Sequence, residues 1–246
     1  MRRTTPAWVR PAVAEVLGSA LLTALVIGSG IAASNLSPGD TGLQLLENAF
    51  ATALGLFALI LIFGPASGAH FNPVVSLADA ALGYRPWRDV VYYIPLQVLG
   101  CIAGAVLANS MFGEPTAFST TERMTGPHFL AEVVATAGLI LVIFSLARTG
   151  RSAWAPAAVG AYIGAAYFFT SSASFANPAI TIGRTFSDTF AGIAPTSVPG
   201  YVVAQIVGLA IGLLVVTVLY PRADSPDTPV GDERTVLVST DTSPST

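Results

Sequence analysis

The chain has 246 residues, of which 53% are hydrophobic and only 10% charged, with no lysine and a formal net charge of −3. This is too apolar and too sparsely charged for a soluble domain, and it identifies an integral membrane protein. One cysteine, Cys101, and two histidines, His70 and His128, exclude a disulfide framework and a zinc cluster, and no glycine-rich phosphate loop or nucleic-acid signature is present.

In chain order, Met1 to Pro11 carries Arg2, Arg3 and Arg10, and the apolar run Val16 to Ala33 behind it reads as a retained span rather than a cleaved signal, with Trp8 to Glu15 contributing to its start. Pro38-Gly39-Asp40 marks the following loop as a turn. A second span covers Leu45 to Phe63 and runs into a short helix from Pro73 to Leu82, closed by Gly83. Ten residues at ~1.5 Å each give about 15 Å, half of a ~30 Å hydrocarbon core, so this is a half-helix. Spans three, four and five are Val90 to Asn109, Pro127 to Leu146 and Ala153 to Ser171; a second half-helix runs from Pro178 to about Asp188, and span six is Val198 to Leu219. Residues 1–220 form one transmembrane domain, with a first repeat over about 8–109 and a second over about 127–220. The polar tail 221–246 is too hydrophilic to bury a core and is expected to be disordered.

Alternate assignment of the loops puts Arg2, Arg3, Arg10, Arg85, Arg88, Arg148, Arg151, Arg222 and Arg234 on one face and only Arg123 and Arg184 on the other. The positive-inside rule makes the first face cytoplasmic and places both termini there.

An internal repeat runs through the chain. Asn72-Pro73-Val74 is echoed by Asn177-Pro178-Ala179 at an offset of 105, Glu15 by Glu132 at 117, and Gln97-x-x-Gly100-x-x-x-Gly104 by Gln205-x-x-Gly208-x-x-x-Gly212 at 108. Asn before Pro is the chemistry of a capped helix start, because Asn accepts from free N–H groups and Pro has none to waste. Three spans per half force the second half to enter the membrane upside down, so the half-helices enter from opposite faces and meet near the midplane. Non-helical backbone at that depth survives only when buried in protein or lining a wet cavity, and the segments before Asn72 and Asn177 therefore imply a pore. The paired glycines allow close helix contact.

The duplicated motif, read with Ser67-Gly68-Ala69-His70-Phe71-Asn72-Pro73-Val74, resembles the signature of the aquaporin and glycerol-facilitator family (major intrinsic proteins), and the match covers Glu15 to Tyr220. The resemblance implies an all-α membrane fold of six transmembrane helices and two re-entrant half-helices, with no cofactor or bound metal. It also implies a homotetramer in the inner (plasma) membrane with one pore per subunit, passing water and small neutral solutes through the lipid bilayer. Its pore-centre residues would be Asn72, Pro73, Val74, Asn177, Pro178 and Ala179, and its loop-lining residues His70, Phe71, Phe175 and Ala176. Glu15 and Glu132 would brace the two loops.

The second motif departs from its relatives at the outer filter. Most place Arg directly after the second Asn-Pro-Ala, whereas here Ile180 follows and Arg184 comes one helical turn later, facing either the vestibule or Asp188. Ungapped matching puts Thr52, Ala165, Ser174 and Ile180 at the filter positions, a wide and weakly charged ring. Such a ring suits glycerol-like polyols, urea or neutral metalloid hydroxides such as arsenous acid, with a strict water channel as the alternative. A proton-coupled carrier would also have inverted repeats and would use Glu15 and Glu132 as a relay. An enzyme would need a nucleophile or metal constellation, which the sequence lacks.

Overall fold

A computed structural model describes residues 6–222. The expected tail from 223 onward, and Arg2, Arg3 and Arg234, lie outside the described residues. Among the described residues there are eight α-helices and no strand: α1 (Val9–Leu36), α2 (Thr41–Ser67), α3 (Pro73–Ala81), α4 (Trp87–Phe112), α5 (Gly126–Arg148), α6 (Ala155–Phe169), α7 (Pro178–Gly183) and α8 (Val198–Leu219). Five are long and apolar enough to cross a membrane. The remaining span, α6, has 15 residues and is preceded by a 3₁₀ turn, Ser152–Trp154.

The ends follow from local chemistry. Asp40 caps α2 by accepting from the Leu43 N–H at 2.9 Å, and Thr125 caps α5 by accepting from the His128 N–H at 3.2 Å. Gly68 and Gly113 close α2 and α4 in the left-handed conformation that glycine adopts at no steric cost. The half-helix α3 ends where the sequence places it. By contrast α7 stops at Gly183, and Arg184–Phe186 continues as a single 3₁₀ turn rather than as α-helix to Asp188. Ser187 is extended there, its hydroxyl donating to Asn109 Oδ1 at 2.7 Å, which pulls the chain off the helix axis.

The packing repeats with the sequence. In the first half α1 packs on α2 and α4; in the second α5 packs on α6 and α8, and each half-helix leans on the last span of both halves. The paired glycines set these distances. A Cβ on Gly104 would run into the Ala20 carbonyl, and one on Gly208 would sit 2.6 Å from the Val133 carbonyl, so both α1–α4 and α5–α8 are held at backbone contact. The core mixes small and aliphatic residues with buried aromatics such as Phe71, Tyr93 and Tyr201, and it encloses Glu15, Gln97, Glu132 and Gln205 with no measurable exposure.

These contacts give a paired test by thermal unfolding in detergent. Gly104→Ala must push α4 off the Ala20 carbonyl and is expected to lower the melting temperature, at a cost of about 1–3 kcal/mol for overpacking. Gly64→Ala, in a helix with nothing within 4 Å of the added methyl, is expected to be neutral or stabilising by up to about 1 kcal/mol.

Candidate functional site

The two loops that enter the bilayer are held by two buried carboxylates. Glu15 accepts four hydrogen bonds: from the Ser67 hydroxyl (2.6 Å), the His70 N–H (3.1 Å), the Phe71 N–H (2.8 Å) and the Gln97 amide (2.7 Å). Glu132 repeats the set with Ser172 (2.6 Å), Phe175 N–H (2.8 Å), Ala176 N–H (2.9 Å) and Gln205 (2.7 Å). The geometry suits an acceptor-only carboxylate, whose two oxygens take several donors at once. Removing a carboxylate from water costs several kcal/mol, and charge-assisted bonds at ~1.5–3 kcal/mol each are what offset it. Each Gln then passes the chain of bonds on. Gln97 donates to Ser76, whose hydroxyl reaches the Asn72 carbonyl, and Gln205 donates to Thr181, whose hydroxyl reaches the Asn177 carbonyl.

The carboxylates hold backbone that would not otherwise persist. Ala69 and Phe71 in the first loop, and Ala173, Ser174 and Ala176 in the second, all have φ between +46° and +57°. Left-handed backbone costs an L-residue roughly 1–2 kcal/mol each. Ala69 and Ser174, and Phe71 and Ala176, are again 105 residues apart, so the strain repeats in register with the motif.

At the centre the two halves are cross-bonded. Asn72 Nδ2 donates to the Ala176 carbonyl and Asn177 Nδ2 to the Phe71 carbonyl, each at 2.8 Å. The side-chain oxygens are occupied within their own half: Asn72 Oδ1 accepts from Val74 N–H, and Asn177 Oδ1 from Ala179 and Ile180 N–H. Each amide has one N–H left, and both asparagines line a continuous cavity of about 430 Å³. Pro73, Val74, Pro178 and Ala179 are buried behind them and do not line it.

From this centre the cavity extends both ways. Toward the α7 side it meets Ser174, Phe175, Ile180, Arg184, Thr52 and Tyr167. The Arg184 guanidinium lies over the Phe175 ring, 3.5 Å from its centroid, and its Nε donates to the Ala191 carbonyl. Asp188 is not its partner: it is exposed and accepts from the Thr120 N–H at 2.8 Å, which holds its carboxyl below the usual carboxylate range. Ala165, placed at the filter from sequence, is exposed on the outer face of α6, and Tyr167, two residues on and about 200° around the helix, faces the cavity instead. Its hydroxyl lies 3.2 Å from Thr52 Oγ1. Ser174 Oγ is buried in the wall without a partner among the described residues. Toward the α3 side the cavity passes His70, whose ring lies 2.9 Å from Ser76 Oγ and 3.3 Å from Asp79, and leaves past Arg85 and Tyr84. Asp79 neutralises Arg85 at 3.1 Å. Ser76, Thr181, Tyr167 and Asp79 were not singled out from sequence; Ser76 and Thr181 share the 105-residue offset and were legible by it.

Comparison with known proteins is consistent with this geometry. The family model described as "Major intrinsic protein" matches residues 2–176, ending just before Asn177. The chain is 47% identical over 205 residues to the aquaglyceroporin AqpS of Rhizobium meliloti (strain 1021), covering 83% of this chain and 87% of that one. It is 30% identical over 199 residues to aquaporin NIP2-1 of Oryza sativa subsp. japonica, covering 76% and 64%. The aquaglyceroporin from Plasmodium falciparum superposes with a TM-score of 0.66 at 22% identity, over 87% of this chain and 95% of that one, which shows the shared fold.

Replacing Glu132 by Gln tests the brace. An amide in place of Oε2 faces the Ala176 N–H and the Gln205 amide donor to donor, and one unsatisfied buried pair costs about 1–3 kcal/mol. Glu132→Gln is expected to lower the melting temperature and the solute flux in proteoliposomes, with no gain or loss of dependence on a pH gradient. The exposed Glu114→Gln, whose side chain makes no hydrogen bond among the described residues, is expected to change neither.

Proposed function

The chain belongs to the major intrinsic protein family, channels for water and small solutes rather than enzymes, and we propose that it is a passive pore for small uncharged polyhydroxylated solutes that excludes ions and protons. The observation that carries this reading is the cross-bonded centre. Two half-helices point their positive ends at one place in a continuous cavity, and each asparagine offers one N–H there while its oxygen is engaged. A water or hydroxyl oxygen entering accepts from both sides, which breaks a proton-conducting file, and a cation meets two like-signed helix ends.

The outer wall supports the solute class. An aromatic face, a guanidinium held over it and the hydroxyls of Thr52, Tyr167 and Ser174 make an amphipathic passage that matches a carbon or metalloid skeleton on one side and its hydroxyls on the other. Glycerol-like polyols and neutral metalloid hydroxides such as arsenous acid fit this description. Tyr167 favours a second reading, a strict water channel, because its phenol fills space that the sequence assigned to an alanine methyl. The fully bonded state of Glu15 and Glu132 speaks against a proton relay. The same reading places the protein in the inner membrane as a homotetramer, with both termini and the arginine-rich mouth cytoplasmic.

Proteoliposome swelling with water, glycerol, urea and arsenous acid decides between the two readings: solute flux that is non-saturating and indifferent to ion gradients is expected, and water flux alone would favour the strict channel. Two variants locate the filter. Ile180→Arg brings a second guanidinium into the constriction and is expected to reduce glycerol and arsenous acid flux at least about tenfold while reducing water flux far less, since an added barrier of ~1.4 kcal/mol is tenfold. Arg184→Ala removes the charge lying on Phe175 and is expected to raise glycerol flux. If Ile180→Arg leaves glycerol flux unchanged while Arg184→Ala broadens selectivity, Arg184 alone forms the filter and the wide-ring reading fails.

A further inference from the structure

At the mouth opposite the filter, two arginines converge on one ring. The Arg148 and Arg222 guanidinium carbons each lie 5.9 Å from the centroid of Tyr84, which stacks on Phe144 at 6.1 Å and lines the cavity where it opens. Part of this arrangement is structural. One Arg222 nitrogen donates to the Leu82 carbonyl and so closes the end of α3, and Arg148 sits in the last turn of α5, where a cation is favoured by the helix dipole.

Helix capping leaves most of the two guanidiniums unused. Apart from that one Arg222 nitrogen, neither side chain meets a protein acceptor among the described residues, and Arg148 Nε is buried without one. Their neighbour Arg85 is different, since it is neutralised by Asp79 at 3.1 Å and Asp89 at 3.7 Å. Two like charges set over one tyrosine ring, with donors that meet no protein acceptor and no carboxylate paired with either among the described residues, form a receptor for a multi-oxygen anion.

We propose that Arg148 and Arg222, over Tyr84, form a phosphate-binding site at the rim of the pore. The shared chemistry is a tetrahedral phosphate oxyanion, supplied by an anionic lipid headgroup or by free inorganic phosphate. The side chains leave the ends of α5 and α8 where a membrane-spanning chain meets the headgroup layer, and arginines near an anionic surface attract its headgroups. Because the ring beneath them lines the conduit, an occupied site stands beside the opening.

The test is lipid retention by the purified full chain, read by native mass spectrometry, with phosphatidylglycerol against phosphatidylcholine as probes. This readout does not depend on which solute the pore passes, so failure here leaves the channel reading standing, and failure of that reading leaves this one. Wild type is expected to retain phosphatidylglycerol selectively, and Arg148→Gln with Arg222→Gln to lose at least about tenfold of that affinity. Arg148→Lys with Arg222→Lys keeps the charge and is expected to retain part of it, which guards against a folding defect. Arg151→Gln removes an equally cationic side chain that does not reach Tyr84 and is expected to change nothing. Competition by inorganic phosphate at fixed ionic strength adds the free ion as a ligand, and absence of competition assigns the site to the lipid; both support the proposal. It is overturned if wild type shows no preference for phosphatidylglycerol, if the double Gln variant binds as wild type does, or if Arg151→Gln loses as much, since binding would then be general surface attraction.

Discussion

Everything in this molecule depends on holding non-helical backbone at membrane depth. In hydrocarbon an unpaired N–H or carbonyl costs several kcal/mol, and each re-entrant loop has a run of them. The chain answers with one carboxylate per half, each buried completely and each taking two backbone N–H groups, a serine hydroxyl and a glutamine amide. Left-handed backbone at five non-glycine positions persists under that restraint, and the restraint is what turns the loops toward each other. The asparagine cross-bonds then join the halves, so the pore centre belongs to neither repeat alone.

The same logic separates the braced centre of the cavity from its wall on the α7 side. At the asparagines both side-chain oxygens and both opposing loop carbonyls are engaged, which leaves one spare N–H on each amide. Toward the α7 side the wall is less committed: Ser174 Oγ has no partner among the described residues, and the Thr52–Tyr167 contact is a single long bond. Arg184 is held by one carbonyl and by the face of Phe175 rather than by a carboxylate. The Arg184 guanidinium lies over a ring that itself lines the cavity, with no carboxylate paired to it among the described residues.

Much of the architecture was legible in the sequence because the signals were redundant. The repeat offsets of 105, 108 and 117 showed the duplication, three spans per half implied its inversion, and the Asn-Pro pairs marked the half-helix starts, which agree with α3 and α7. Glu15 and Glu132 stood out because carboxylates inside spans are rare. What escaped was whatever depends on rotation about a helix axis in an all-apolar span. Span five offers no polar stripe to fix its facing residues, so Ala165 and Tyr167 could not be told apart, and the choice is made by α6 packing on α2. The early end of α7 escaped for a different reason: it is caused by Ser187 bonding Asn109, a contact 78 residues away.

The central claim is that the paired asparagines, cross-bonded at the meeting of two half-helices, exclude cations while passing neutral solutes. Ionic conductance in planar bilayers, measured beside solute flux for Asn72→Asp and Asn177→Asp, tests it most directly. A carboxylate there cannot donate to the opposite loop's carbonyl and offsets the positive helix ends, so each variant is predicted to leak cations or to lose flux. Unchanged solute flux with no measurable cation conductance in either variant would contradict the account.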